Sequence, residues 1–371
     1  ADQSKKKPSK ESTSPSFDFS TEQLLFSEEV PDSPRESEFE KMVRLALEGS
    51  LQKARPILLD VAAASEATKS EVREAAQMLE SAQQAAEPSR RIFNAAVAAR
   101  IGQWVPTISK PEHVDRIADE EEPQKIAEQL NPAHMPYLFP EVFLRENPGF
   151  DVVIGNPPWE EVTIEEPKFW LRVRPGLLGL SNKERKAEIQ RLRQERADLL
   201  PELEAEQQRT ETQRQILLSG PYPGLSKGDV ELYKAFAWRF WQLLRRDGAL
   251  AFVVPRSLLS SAGSKPWREE VFFHGSAVEV LTLTNDRQWV FPIEPRYSIA
   301  LVSAHKTSPQ KASVGTAGPF FRAEEFLEGR DKLGTIPADS LAESSHEITL
   351  PQLPSTDAAG VFAQIRKAPR L

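Results

Sequence analysis

The chain of 371 residues contains no cysteine, which excludes a disulfide framework and any thiolate metal site. It has no apolar run approaching the ~18 residues of a membrane span. Its five histidines, His113, His134, His274, His305 and His346, are scattered without ligand spacing, so no metal site is expected. No secretory signal opens the sequence, and Lys5-Lys6-Lys7-Pro8 among serines reads as a solvated tail, which makes the cytoplasm the simplest compartment. Basic excess is lacking as well. A net charge of -8 and a pI near 5.5 argue against this chain alone gripping a phosphate backbone.

Against this background one stretch stands out, Gly149-Phe150-Asp151-Val152-Val153-Ile154-Gly155-Asn156-Pro157-Pro158-Trp159. The apolar run Val152 to Ile154 reads as a buried strand of a parallel sheet. In open α/β sheets ligands occupy the crevice at the carboxyl ends of strands, where Asn156 to Trp159 would fall. The Asn156 side chain and the carbonyl of a φ-locked proline are two fixed acceptors, suited to the two hydrogens of an exocyclic amine. Trp159 offers a flat face on which a planar base could stack. The same four residue types also make a rigid strand exit with no chemistry.

Residues 1–33, rich in Ser, Lys, Pro and Glu around Leu24, Leu25 and Phe26, read as a flexible arm. From 34 to 106 helical spacing dominates: Phe39, Met42, Val43 and Ala46, then an alanine-rich helix from about 57 to 87 with Val72, Ala75, Leu79 and Ala82 on one face. Pro88 is expected to break it, before a further helix of roughly 89–103. This region offers no reactive groups and reads as a structural wall. His134, in a proline-bounded aromatic loop, is a candidate base by type and a packed residue by surroundings.

The segment 182–218 is dominated by Glu, Lys, Arg and Gln with a thin seam of Ile189, Leu192, Leu199, Leu200 and Leu203, interrupted by Pro201. It reads as a charged helical hairpin. Asp229 then serves as N-cap of a helix carrying Leu232, Ala235, Phe236, Phe240, Leu243 and Leu244 and stopping at Asp247-Gly248. Ala249 to Pro255 reads as an interior strand, followed by a helix to about Phe273. Ala277–Leu283 and Tyr297–Ala304 read as strands around a loop at 286–291. Beyond 306 the pattern dissolves into short apolar pieces between Pro, Gly and Ser.

The succession Phe150 to Trp159, Asp229-Val230-Glu231-Leu232-Tyr233-Lys234-Ala235-Phe236, Gly248 to Pro255, and Val290-Phe291-Pro292 before a strand resembles the gamma-class DNA adenine-N6 methyltransferases. It is most similar to the Eco57I-type restriction-modification and phage-defence methylases, over about residues 134–306. The resemblance implies an α/β fold: a partial Rossmann-like methyltransferase sheet with an N-terminal helical region and the charged hairpin as an insertion. It places the catalytic motif on Asn156, Pro157, Pro158 and Trp159, base stacking on Trp159 and Phe291, and cofactor contacts on Asn156 and Asp229, with S-adenosyl-L-methionine as cofactor and double-stranded DNA with a flipped adenine as partner.

The family carries a glycine-rich cofactor loop ahead of the catalytic motif, and no Gly-x-Gly precedes Asn156. The resemblance therefore implies an internal fragment. Residues 107–306 would be the catalytic half and 307–371 an irregular segment leading toward a missing target-recognition domain. The remainder of the parent enzyme would be its partner. An alternative is a catalytically incomplete methylase-derived module acting in assembly or DNA docking.

Overall fold

The computed structural model describes residues 38–64, 68–101, 103–104, 114–163, 166–295, 297–353 and 357–366; the arm expected at 1–33 lies outside them. Two compact units result, Ala1–Ile57 with Ser65–Tyr137 and Leu58–Ala64 with Leu138–Leu371.

The first unit is helical: most of α1 (Glu38–Ala63), then α2 (Lys69–Arg100), α3 (Val114–Asp119) and α4 (Glu121–Leu130). Pro88 does not break α2, contrary to expectation. A helix interior survives a proline when tertiary burial outweighs the lost backbone bond, and here Ala82, Ala86, Ser89, Ile92 and Phe93 around Pro88 are all buried. α1 ends at Ala63, and Thr68 starts α2 with a capping box: its hydroxyl accepts from the Glu71 N–H, and the Glu71 carboxylate accepts from the Thr68 N–H. Ala75 and Ala82 are buried as expected, but Val72 and Leu79 are exposed.

The second unit is built on a six-stranded mixed sheet. In chain order it comprises β1 (Phe150–Gly155), α5 (Glu166–Trp170), α6 (Asn182–Glu195), α7 (Leu200–Ser219), α8 (Leu232–Leu243), β2 (Leu244–Pro255), α9 (Lys265–His274), β3 (Ser276–Thr284), β4 (Ser298–His305), β5 (Ser313–Phe320), α10 (Ala323–Gly329), β6 (Gly334–Pro337), α11 (Ala338–Ser344) and α12 (Ala358–Arg366). The strand order is β1-β2-β4-β3-β5-β6. β1 runs parallel to β2 and β3 parallel to β5, while β4 lies antiparallel to both β2 and β3. The residues from 307 onward, expected to be irregular, add β5 and β6 to this sheet; Gly315, Gly318 and Pro319 hide the alternation of β5.

One sheet face packs on α8 and α9. Leu250, Phe252, Val254, Val280, Ala300 and Val302 meet Tyr233, Ala237, Trp241, Trp267, Val271 and Phe272 in a single core. Arg268 of α9 is fully buried within reach of it and ties the exit of β2 to the C-terminal segment, donating to the carbonyls of Leu258, Ser261, Glu347 and Ile348. Loss of hydration on burial pushes the Arg268 pKa down to about 10, with the Glu347 carboxylate offsetting only part of the effect.

β1 is not the buried strand that its apolar run suggested. It pairs only with β2 among the described strands, and Val152 and Ile154 are 55% and 78% exposed. Only Val153 turns toward the core, and Ile154 borders a shallow apolar depression of about 300 Å³ shared with Ala251, Val253, Leu281 and Leu301. The helix before β2 also ends earlier than expected, at Leu243 rather than at Asp247-Gly248. Leu244 already pairs with Phe150, and the register then jumps to Val152↔Ala249, so Asp247, at φ +64°, and Gly248 form an irregularity inside β2 instead of a helix stop.

Between the sheet elements, α6 and α7 pack through Leu192 and Leu203 against Phe169, Trp170 and Leu177. Ser181 caps α6 and Pro201 sits in the first turn of α7. The Glu166 carboxylate accepts two bonds from Arg193, at 2.6 and 2.9 Å, and one from the Trp170 indole at 2.9 Å.

Candidate active site

β1 and β2 run parallel up to the pair Gly155↔Phe252, so Asn156 is the first residue past the end of the ladder. A side chain on Gly155 would come within 3.0 Å of the Phe240 ring, which keeps the strand end close to α8. The Asn156 side chain is exposed, Pro157 is buried, Pro158 is exposed and Trp159 is partly buried. The buried proline anchors a turn whose two neighbours face outward.

The chain after Trp159 is held by backbone bonds to the start of α8: the Leu232 N–H donates to the Glu160 carbonyl at 2.9 Å and the Val162 N–H to the Val230 carbonyl at 2.8 Å. This pairing lays residues 230–232 alongside the residues that follow the motif. Asp229 is not the helix N-cap that its sequence position suggested. Glu231 occupies that place without a side-chain capping bond, and Asp229 is exposed, with its carbonyl taking the Lys234 ammonium at 3.2 Å. Helix start here is fixed by the 160–162 pairing, which competes with the side-chain cap.

Beside it lies a polar cluster that sequence reading did not assemble. The Tyr233 hydroxyl donates to Glu231 at 2.9 Å and lies 2.7 Å from the Ser257 hydroxyl just past the end of β2. Glu231 also pairs with the buried Lys234 at 2.7 Å. Burial raises the Tyr233 pKa above the ordinary phenol value, so it stays protonated as a donor. No signal in the sequence couples Tyr233 to Ser257, 24 residues on.

The loop between β3 and β4 supplies the rest. Phe291 meets the Trp159 ring edge-on, with centroids 5.8 Å apart and planes at 90°. Tyr297 faces Trp159 from another side, with centroids 6.3 Å apart and a tilt of 36°. Asn156, Trp159 and Phe291, all singled out in the sequence, therefore belong to one neighbourhood. Tyr297 was passed over as the first residue of a strand; β4 starts one residue later and leaves the ring 47% exposed. The loop is organised by Asn285, which is fully buried. Its side-chain N–H donates to the Phe291 carbonyl, its side-chain oxygen accepts from the Val290 and Phe291 N–H groups, and its own N–H donates to the Tyr297 carbonyl.

His134 takes no part in this constellation. It is buried in the helical unit, stacked on Phe93 at 5.2 Å, with its Nε2 2.8 Å from the Asn94 side-chain oxygen. Asn94 in turn donates to Gln124 at 2.9 Å. The packed reading of this histidine holds. Among the described residues there is no cluster of three or more His, Asp or Glu that could hold a metal ion, and no helix long and apolar enough to cross a membrane.

Comparison with known proteins adds the following. Residues 68–189 match the model of the Eco57I restriction-modification methylase family, a span that includes β1 and the Asn156–Trp159 turn. A search of curated proteins gave no match. Among solved structures, the DrdV–DNA complex shares 20% identity, with 48% of this chain and 16% of that chain covered, at a TM-score of 0.28. A nuclease-deletion mutant of the Type ISP restriction-modification enzyme LlaGI, in complex with a DNA substrate mimic, shares 12% identity over 84% of this chain and 39% of that chain, at 0.28. The ATP-dependent Type ISP restriction-modification enzyme LlaBIII, bound to DNA, shares 10% identity over 62% and 13%, at 0.26. The chain thus spans between 13% and 39% of the length of these three. The family match bears on a DNA methyltransferase role within restriction-modification, and it covers Asn156 to Trp159 but not Asp229, Phe291 or Tyr297.

Proposed function

We propose that this chain carries the methyl-transfer site of an S-adenosylmethionine-dependent, adenine-N6-specific DNA methyltransferase of a restriction-modification or phage-defence system. The observation that carries the reading is the exposed Asn156 amide at the carboxyl end of β1, three residues ahead of a tryptophan held against Phe291 and Tyr297. The family match over 68–189 supports it, as does a sheet whose parallel pair β1 and β2 opens at that end in the Rossmann-like manner.

An adenine turned out of the duplex lays one face on Trp159. Its N6 hydrogens are accepted by the Asn156 side-chain oxygen and a motif carbonyl, that of Pro157, which orients the nitrogen lone pair outward. S-adenosylmethionine, when bound, would supply the methyl group to that lone pair, leaving as S-adenosylhomocysteine, with one N6 proton passing to solvent. The exposed Asp229 carboxylate has the chemistry to accept from the hydroxyl or ammonium groups of such a cofactor. Orientation is the main contribution of the chain, and no side chain need form a covalent bond to the base. Double-stranded DNA and the remainder of the parent enzyme are the partners on this reading.

The test is transfer of labelled methyl from S-adenosylmethionine to N6 of adenine in DNA by the full-length protein. Asn156→Ala is expected to lower it by at least about a hundredfold, the scale of losing one preorganised hydrogen-bonding group. Undiminished transfer by the variant would sink the assignment.

A further inference from the structure

We infer that Tyr233 is a positioning residue for methyl transfer, its hydroxyl clamping the strap that follows the Asn156–Trp159 turn to the rigid exit of β2; the inference rests on the methyl-transfer reading above. The strap is residues 160–162. It is held to residues 230–232 by the Leu232 N–H on the Glu160 carbonyl, the Val162 N–H on the Val230 carbonyl and the antiparallel bridge of Glu161 with Glu231. Val162 joins a small cluster with Leu225, Val230 and Ala235, but Glu160 and Glu161 are exposed, so their own side chains do little to fix them. The place of the strap, and of Trp159 one residue ahead of it, follows the place of Glu231.

Glu231 is held through its carboxylate. The Tyr233 hydroxyl donates to it at 2.9 Å, and the buried Lys234 ammonium pairs with it at 2.7 Å. Lys234 acts within the same turn, since it also donates to the Asp229 carbonyl at 3.2 Å. Tyr233 reaches beyond the turn: its oxygen, having given its one hydrogen to Glu231, accepts from the Ser257 hydroxyl at 2.7 Å. Ser257 stands on a stiff mount, followed by the fully buried Leu258 and Leu259, and the Leu258 carbonyl accepts from the buried Arg268 at 2.7 Å. The Tyr233 ring is fully buried in the core under the sheet, which fixes where its hydroxyl lies. A chain of bonds from Ser257 through Tyr233 to Glu231 thus joins the sheet to the strap, and in such surroundings each bond strengthens the next. Its role is support: it sets the place from which Asn156 acts, where a small displacement is costly.

The test is methyl transfer to DNA by the full-length protein, with kcat and the KM values for DNA and S-adenosylmethionine measured separately. The variants are Tyr233→Phe, which removes the hydroxyl and keeps the ring, Ser257→Ala and Ser257→Thr, with the first two made also in the Asn156→Ala background. Tyr233→Phe and Ser257→Ala are each expected to lower kcat about tenfold to a hundredfold, up to the scale of a ~1 Å misplacement, with both KM values within about twofold. Ser257→Thr keeps a hydroxyl and should retain the wild-type kcat. In the Asn156→Ala background the same two changes should cost less than about threefold, because a positioning residue loses its effect once the group it positions is gone. A change that only lowered the folded fraction would cost the same factor in either background, so equal losses with and without Asn156 would overturn the inference. Were Tyr233→Phe to misfold, Ser257→Ala carries the same comparison, since Ser257 is only partly buried. Wild-type kcat in both Tyr233→Phe and Ser257→Ala, with Asn156→Ala impaired, would overturn the role of Tyr233 and leave the methyl-transfer reading standing. No transfer by the wild-type protein would overturn both.

Discussion

Asn285 holds Phe291 from both sides of one residue: its amide nitrogen donates to the Phe291 carbonyl at 3.0 Å, and its amide oxygen accepts from the Phe291 N–H at 3.1 Å. A third bond reaches the Val290 N–H at 3.2 Å, and the Asn285 N–H itself donates to Tyr297 at 3.1 Å. One fully buried side chain thus replaces a length of β ladder for a loop that has none. The loop needs such a brace, because Arg287 and Gln288 are both held at positive φ, +56° and +59°, where non-glycine residues are disfavoured.

Replacing Asn285 with Ala strands two N–H groups and a carbonyl. Urea unfolding should show a loss of about 2–4 kcal/mol, since each buried group left without a partner costs on the order of 1–3 kcal/mol and part of that is recovered by water. The aromatic near-ultraviolet signal of the Trp159–Phe291 pair should weaken with it. A variant that unfolds at the wild-type urea concentration would show that the loop is held by packing alone.

Asn156→Ala should behave in the opposite way. Asn156 is exposed and lies just past the last β1–β2 pair, so its removal should move stability by no more than about 0.5 kcal/mol. Methyl transfer should fall while the melting temperature stays in place. A large drop in melting temperature would mean that the motif is a structural strand exit, the other reading that its residue types allow.

The acidic side of the stability profile should depend on Glu166. Its hydrogen bonds from Arg193, the largest influence, hold its carboxyl below the ordinary 4.5, against the opposing effect of burial. A carboxyl whose folded pKa is lowered contributes stability above its unfolded pKa and loses it as pH falls through the folded value. The melting-temperature gap between wild type and Glu166→Gln should therefore be present at pH 6 and close as pH drops below about 4. Glu166 is partly exposed, so the gap is small, and a gap that does not change with pH would remove the ion pair as its cause.

Much of the second unit was legible in the sequence, because its elements are written in local patterns. The apolar run and polar exit of β1, the helical face of α8, and the alternation of β3 and β4 are all periodic signals. Burial of β1 was not legible, since a run such as Val152 to Ile154 looks the same in a central strand and in an edge strand. Which one it becomes depends on neighbours far away in sequence. The break before α2 was written in Thr68 and Glu71, but Pro88 is the louder local signal. β5 was hidden by Gly315, Gly318 and Pro319. At the site, Asn156, Trp159 and Phe291 were found by residue type and order. Asn285 and Tyr297 were not, because a buried bracing amide and a half-exposed ring before a strand carry no periodicity.

Pro88 offers a direct check on why α2 continues through a residue that should stop it. It is exposed, yet its neighbours Ala86, Ser89 and Ile92 are buried, and the Ser89 and Ser50 hydroxyls bond each other inside the helical unit. If this burial holds the helix together against the local cost of proline, the substitution Pro88→Ala removes the cost and keeps the packing. Stability of the helical unit should rise by about 1–3 kcal/mol, the scale of a proline penalty within a helix, as a restored backbone N–H bonds to the preceding turn. Helical ellipticity near 222 nm should increase slightly, and the thermal midpoint should shift upward. A lower midpoint would show that the helix bends at Pro88 in a way that the packing around Ser89 requires, making the proline a shaping element instead of a tolerated one.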